Sequence, residues 1–365
     1  MPSAGHAPKR VLIVRPSALG DVARTVPALA TVSRHWPDAQ VDWLVNTPFA
    51  DVIAAHPALS QVIAFDRQRL AGFARRRDAT RAGLELWRTL RHNNYDVVYD
   101  LQGLARSGLL TRLTHAPRRV GFADARELAW LGYNVRHRVD GYRHTVDQML
   151  ALLAGEGMQP VYDLQLHVPP TDRCWLDAFL HEHHLHAGYA CVAPTARWRC
   201  KCWPTPKYAQ LIQRLLASGL AGDRVVIIAA PGEREQVHDL LSLLPAERRG
   251  RVVWPTTSVG QMMAILSRSR LLVSNDSAPL HVAVGLARPV VAIFGPTDPA
   301  HVGPYGRARS VVQPASLRAA HRHHHPNPRA YRIHPDDQSL IDEVTVEQVW
   351  ERVEEEVARQ ASTNH

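Results

Sequence analysis

Short runs of β-branched and apolar residues alternate with longer amphipathic stretches from residue 10 onward, and the alternation begins twice. The first series is RVLIV, AQVDWLV, QVIAF, YDVVYD and RRVGF, separated by helical patterns such as DVARTVPALATVSRHW and TRAGLELWRTLRHN. The second is GYACVAP, DRVVIIAAPG, RVVW, RLLVSND and PVVAIFGP. Strand, helix and strand in this rhythm form a parallel sheet with helices on both faces. Two series therefore predict an α/β chain of two doubly wound, Rossmann-like domains. The length of 365 residues suits two cores better than one. The junction is expected within LQLHVPPTDR, Leu164 to Arg173, where consecutive prolines disfavour helix. This gives domains 1–168 and 169–343 and a terminal segment 344–365.

That terminal segment contains TVEQVWERVEEEVARQ, in which Thr345 precedes Gln348 by three positions. The spacing predicts a capping box and an amphipathic terminal helix. Before it, Pro314 to Ser339 is rich in His, Arg and Pro without any period and predicts a long loop. Its histidines, around 321–334, have no Cys or carboxylate framework, so no metal site is expected there.

Lys and Arg total 43 against 34 Asp and Glu, and the only lysines are Lys9, Lys201 and Lys207. Guanidinium groups suit phosphates and carboxylates, whether on nucleic acid, anionic lipid or an acidic glycan. Up to Pro170 the balance is +6, and beyond it +3, so the first domain faces the more anionic partner. No zinc-finger spacing, aromatic RNP-like strand or basic heptad is present, and no nucleic-acid partner is expected. Cysteines 174, 191, 200 and 202 form neither CxxC nor a disulfide framework, which points to a reducing cytoplasm. The apolar run Val11 to Val14 ends at Arg15, too short for a signal peptide or a span.

Several motifs fail in detail. GEGMQP, Gly155 to Pro160, starts like a dinucleotide fingerprint but ends in proline and follows no strand. HEHHL at 181–185 has Leu185 where a zincin needs its second histidine. The strongest positive signal is LLVSNDSAPLHVAVGLARPVVAIFGPTDP, Leu271 to Pro299. A strand delivers Asp276, and Ser277, Ala278 and Pro279 then open a helix whose free amides and positive dipole end suit a phosphate. His281 follows one turn later. Asp276 could equally be a helix cap and His281 a packed core residue. APTARWRCKCWP, Ala193 to Pro204, also leaves a strand, with Thr195 as a hydroxyl donor, Lys201 to neutralise a diphosphate and Trp203-Pro204 to fix the loop. Glu233, in AAPGERE, could accept from ribose hydroxyls. Three loops thus meet at the carboxyl edge of one sheet, where open α/β sheets bind ligands. In the first domain, VLIVRPSALGDVARTVPAL places Gly20 and Asp21 after the first strand, where a turn and helix cap would be sufficient explanation.

Taken together, these elements resemble the ADP-heptose:lipopolysaccharide heptosyltransferases, glycosyltransferase family 9. The resemblance runs from VLIVRPSALGDVARTVPAL through YDVVYDLQGLARSGLLTRL, ADARE, TARWRCKCWP, NDSAPLHVAVGLARPVVAIFGPTDP and GPYG to VTVEQV. It implies a glycosyltransferase-B architecture, two domains facing across a cleft with the terminal helix packing back on the first. It also implies inverting transfer from ADP-heptose to the Kdo/heptose inner core of lipopolysaccharide. Asp21 then matches the general base. Thr195 and Lys201 match residues holding the diphosphate, Glu233 a ribose contact, Ser277 and Ala278 the helix-start amides, and Asp276 and His281 contacts to donor phosphates and sugar. Gly20, Arg106 and Arg126 match the acceptor side. No cofactor beyond the ADP-sugar co-substrate is implied. The implied acceptor is an acidic glycolipid, reached from the cytoplasm with peripheral contact at the inner membrane surface. This sequence departs from the family in three places. Ser277-Ala278 stands where a Thr-Gly pair is frequent, Trp198, Arg199 and two cysteines crowd Lys201, and the late loop is histidine-rich rather than cysteine-bearing. The same chemistry with another nucleotide sugar or glycan acceptor, and a non-catalytic nucleotide-sugar-binding relative, are the competing readings.

Overall fold

The computed structural model describes residues 7–73, 75–317 and 337–363. The histidine-rich stretch expected to be a loop lies, over 318–336, outside the described residues. The chain divides into two compact units, Met1–His167 and Val168–His365.

The first unit runs β1 (Arg10–Val14), α1 (Leu19–Arg24), α2 (Val26–His35), β2 (Gln40–Asn46), α3 (Asp51–Ala54), β3 (Gln61–Phe65), α4 (Arg77–His92), β4 (Val97–Asp100), α5 (Ala105–Leu113), β5 (Arg118–Phe122), β6 (Val135–His137) and α6 (Thr145–Gly155). Its strands are all parallel, in the order β3-β2-β1-β4-β5-β6. The order reverses between β1 and β4, so the loops leaving these two strands flank a crevice at the carboxyl edge. Val11 to Val14 and all of β4 are buried, as central parallel strands covered on both faces must be.

The second unit repeats the plan with α7 (Pro170–Glu182), β7 (Tyr189–Ala193), α8 (Thr205–Ser218), β8 (Arg224–Ile227), α9 (Ala246–Arg249), β9 (Val252–Val253), α10 (Val259–Arg268), β10 (Leu271–Asn275), α11 (Ala278–Gly285), β11 (Val290–Ile293), α12 (Pro299–Val302), β12 (Val311–Val312), α13 (Ser339–Asp342) and α14 (Val346–Thr363). Its parallel order is β12-β11-β10-β7-β8-β9, the same topology read from the other side. The reversal now lies between β10 and β7. Both sheets carry a sixth strand, β6 and β12, beyond the five expected from the sequence. These strands span three and two residues and pair on the outer edges of the sheets.

Thr345 and Gln348 form the expected capping box, with the Thr345 amide donating to Gln348 Oε1 at 3.0 Å and the Gln348 amide to Thr345 Oγ1 at 3.2 Å. The apolar face of α14, with Val346, Val349, Trp350 and Val353, belongs to the core of the second unit, alongside Trp203, Ile293 and Val312. Arg214 of α8 lies over the Trp350 ring at 4.5 Å, closing the outer side of that contact.

Candidate functional site

In the first unit the site begins where β1 ends. Asp21 sits in the first turn of α1, with Gly20 buried beside it. Its Oδ2 accepts the Ala18 amide at 3.2 Å, which is the capping contact. The other oxygen, Oδ1, meets Arg24 at 2.5 Å and Arg15 at 3.3 Å. Capping needs one oxygen and no guanidinium, so the arrangement exceeds what a helix start requires. Burial pushes the Asp21 carboxyl up, but Arg15, Arg24 and the Ala18 amide outweigh it and hold the group at about 2. The side chain nevertheless keeps 29% of its surface exposed, leaving it open to a ligand.

The loops from neighbouring strands are tied to this one. Arg15 donates to the Leu101 carbonyl, and the Ser17 amide donates to Gln102 Oε1 at 3.2 Å. Asp100, at the end of β4, is fully buried, accepts the Tyr133 hydroxyl at 2.6 Å and organises Gln102 and Gly103 through their amides at 2.9 and 3.1 Å. Arg106, in α5, and Arg126, after β5, are both exposed. Their loops are joined by the Arg126 amide donating to the Gly103 carbonyl at 3.0 Å and the Ala105 amide to Glu127 Oε2 at 3.2 Å. Asp21, Arg106 and Arg126 therefore project from the ends of three adjacent strands, β1, β4 and β5.

The second unit gathers four strand ends in the same way. Asp276, after β10, accepts from Lys201 Nζ at 2.5 Å and from Thr297 Oγ1 at 2.8 Å, both through Oδ2. Lys201 lies in the turn Arg199–Lys201 that follows β7, and Thr297 follows β11. Thr195, also after β7, donates to Glu233 Oε2, after β8, at 2.8 Å. Ser277 stands at the N-cap position of α11 with extended backbone and no side-chain cap, Pro279 occupies the first turn and His281 is buried. Asp276 is thus an ion-pair partner and not the helix cap. Beneath these groups, Asn275 anchors the loops by accepting from the Trp203 amide at 3.1 Å and the Tyr208 hydroxyl at 2.8 Å while donating to the Pro194 carbonyl at 2.7 Å. The C-terminal segment supports the same loop, since the Trp203 indole donates to the Val344 carbonyl at 2.9 Å and Gln338 Nε2 to the Cys202 carbonyl at 2.8 Å. Burial pushes the Cys202 thiol up to about 11, so it is no nucleophile at neutral pH.

A family model for glycosyltransferase family 9 (heptosyltransferase) matches residues 84–330. Lipopolysaccharide heptosyltransferase 1 of Escherichia coli K12 is 34% identical over 314 residues, spanning 83% of this chain and 93% of that protein. The chain belongs to glycosyltransferase family 9. The enzyme of the same name from Pseudomonas aeruginosa is 30% identical over 82% of each chain. The solved structure of E. coli heptosyltransferase WaaC with ADP-2-deoxy-2-fluoro heptose superposes with a TM-score of 0.71 at 28% identity, covering 95% of this chain and 99% of that one. The fold is accordingly that of the glycosyltransferase-B heptosyltransferases, and the chemistry of the family is glycosyl transfer.

Among the described residues of this family 9 chain, no group of three or more His, Cys, Asp or Glu is placed to hold a metal ion. No described helix is long and apolar enough to cross a membrane. Sequence reasoning picked out Asp21 but missed its partners Arg15 and Arg24, and picked out Asp276 but missed Thr297. Some signal was available. Arg15 directly follows the first apolar run, Arg24 stands three residues beyond Asp21 on one helical face, and Thr297 lies within FGPTDP.

Two predictions arise from this geometry. A Cβ at Gly295 would sit 2.9 Å from Ile341 Cβ and 3.0 Å from the Cys200 carbonyl. Gly295→Ala is expected to shift the Lys201 loop, costing about 1–3 kcal/mol of stability and raising the donor KM, which thermal unfolding and steady-state kinetics would register. The second concerns charge. A folded-state pKa below the unfolded value stabilises above the unfolded pKa and loses that contribution as pH falls through the folded one. For Asp21 this amounts to about 2 kcal/mol, present above about pH 4 and lost towards about pH 2. Arg24→Gln removes one cation, so the carboxyl midpoint followed by NMR should rise and the acid-dependent stability loss should shrink; an unmoved midpoint would contradict the assignment.

Proposed function

We propose that this chain transfers heptose from ADP-heptose to the Kdo/heptose inner core of lipopolysaccharide, with inversion at the anomeric carbon and Asp21 as general base. The acceptor hydroxyl oxygen attacks the anomeric carbon from the face opposite the diphosphate. The carbon–oxygen bond to the diphosphate breaks, its electron pair stays with the phosphate oxygen of departing ADP, and the hydroxyl proton passes to Asp21. With its carboxyl at about 2, Asp21 is a weak base but an ionised one. That is sufficient for a late proton transfer, because the attacking hydroxyl becomes strongly acidic as its bond to carbon forms.

Departure of ADP requires neutralisation of the diphosphate. Lys201 and the Ser277 and Ala278 amides fill that role, with the Thr195 hydroxyl turning from Glu233 to donate to the diphosphate and Glu233, so released, accepting from the ribose. Asp276 would repel a diphosphate if it faced one alone. Its pairing with Lys201 and Thr297 instead makes it the group that orients the lysine, with His281 close to the sugar end. Arg106 and Arg126 face the acidic acceptor, and Gly20 lies beneath it. No cofactor beyond the ADP-sugar enters the scheme. The reaction belongs on the cytoplasmic side, at the inner surface of the membrane that carries the acceptor.

The observation carrying this proposal is the cluster of Lys201, Asp276 and Thr297 against the start of α11. Support comes from relatives named lipopolysaccharide heptosyltransferase and from a relative solved with an ADP-heptose analogue. The test is turnover of the purified protein with a series of nucleotide sugars, with the anomeric configuration of the product read by NMR. Transfer from ADP-heptose giving the inverted anomer is expected. Turnover with a non-ADP donor and none with ADP-heptose would overturn the proposal.

A further inference from the structure

The charge of the first unit is concentrated in one place. Between Asp66 and His92 lie eight arginines and three carboxylates, a balance of +5 within a chain of net +9. The segment comprises the loop leaving β3 and the whole of α4. Ala79 and Leu90 of α4 are buried, with Leu86 packed against the same core, so one side of the helix is settled by packing. The opposite side carries Arg77, Arg81, Arg88 and Arg91, all exposed. Arg76 pairs with Asp78 at 2.8 Å and Arg81 with Glu85 at 2.9 Å. Among the described residues no carboxylate pairs with Arg75, Arg77, Arg88 or Arg91.

Apolar groups are interleaved with these charges. Phe73, Leu84 and Trp87 are exposed by 54%, 39% and 39%. Arg75, Arg76, Arg77, Arg81, Arg88 and Leu84 line one open groove between the loop and the outer face of α4. A soluble helix face needs charge for solvation, but it needs neither a net excess of one sign nor a tryptophan and a leucine among the arginines. A helix whose arginines meet headgroups while Trp, Phe and Leu enter the boundary below them is the arrangement of an interfacial anchor. The loop before α4 also leaves the carboxyl edge of the sheet at β3, two strands from β1, so it lies on the edge that bears Asp21.

We propose that the outer face of α4 and the loop residues Phe73, Arg75 and Arg76 form a docking surface for an anionic phospholipid bilayer. Phe73, Leu84 and Trp87 enter the headgroup boundary, and the arginines bind lipid phosphates. Docking in this way sets the Asp21 edge beside the membrane. The benefit of that placement rests on the proposed use of a glycolipid acceptor, while the docking itself does not.

Binding is measured by flotation of the full chain with vesicles of phosphatidylcholine alone and of phosphatidylcholine and phosphatidylglycerol in equal parts, separately from turnover on a water-soluble, acyl-free acceptor. The wild type should float with the anionic vesicles only, and rising salt should release it. Each arginine near an anionic surface is worth about fivefold in partitioning. The exposed triple variant Arg75→Ala/Arg77→Ala/Arg88→Ala should therefore partition about a hundredfold more weakly, with turnover on the soluble acceptor unchanged. Trp87→Ser, which keeps every charge, should weaken partitioning without altering its salt dependence. Failure of the wild type to float with anionic vesicles, or equal binding by the triple variant, overturns the docking surface. A triple variant that floats normally but shows a raised KM for the soluble acceptor would assign the groove to acceptor recognition and also overturn it. Wild-type flotation without turnover on any acceptor would leave docking supported and overturn the transfer reaction instead.

Discussion

Asp21→Asn is expected to lower turnover about 10²–10⁴-fold while ADP affinity stays within about twofold of the wild type. The asparagine oxygen can still accept the Ala18 amide, so the cap at the start of α1 survives and the variant separates capping from proton transfer. Its cost is electrostatic. Arg15 and Arg24 lose their shared carboxylate and face each other, and stability should fall by about 2 kcal/mol at neutral pH, the size implied by the depressed carboxyl. Calorimetric titration with ADP, thermal unfolding and single-turnover kinetics together read the three effects. Unchanged turnover in a folded variant would remove Asp21 from the mechanism. A loss of turnover matched by an equal loss of folded protein would leave Asp21 only a structural part.

Lys201→Ala should be the more damaging change to the second unit. The Asp276 side chain is 7% exposed and would keep the Thr297 hydroxyl, a neutral donor, in place of its cation. Removing one member of a buried pair costs about 3–5 kcal/mol; with Lys201 itself 22% exposed, the lower end is expected. Donor affinity should fall about 10- to 100-fold, because a charge-assisted contact to the diphosphate is lost and a bare carboxylate is left facing it. The double variant Lys201→Met/Asp276→Asn discriminates the two effects. It should recover most of the stability, since no unpaired charge remains, but not the ADP affinity. Recovery of both would show that Lys201 serves only to neutralise Asp276, and full ADP affinity in Lys201→Ala would exclude it from diphosphate binding.

The capping box of Thr345 and Gln348 shows why some features could be read directly. Both partners lie within one turn, so their spacing in the chain equals their spacing in space. The proline start of α11 is legible for the same reason, as are the five expected strands of each sheet, whose apolar runs are local. The strands β6 and β12 were not legible, because short segments pair only when a neighbouring edge is already present to receive them. Resemblance in ordered motifs carried the site residues further than local pattern could, yet it left their partners unnamed. Asp276 was open to being a helix cap, but the N-cap position of α11 falls to Ser277, and Asp276 instead meets a lysine 75 positions away.

Local sequence thus determined that this chain makes two parallel α/β units, which strand ends carry Asp21, Thr195, Glu233 and Asp276, and where the terminal helix begins. These follow from periodicities and turn chemistry that act over a few residues. Tertiary structure decided the company of those groups, apart from Arg15 and Arg24, which hold Asp21 ionised from within its own stretch of chain. The strand order brings Leu101 and Gln102 to the loop of Asp21, Lys201 and Thr297 to Asp276, and the Val344 carbonyl to the Trp203 indole across 141 positions. Electrostatic pairing falls off over a few ångströms, whereas these cross-strand partners are tens to more than a hundred positions apart. Their meeting is therefore set by how the sheets close and not by any stretch of chain.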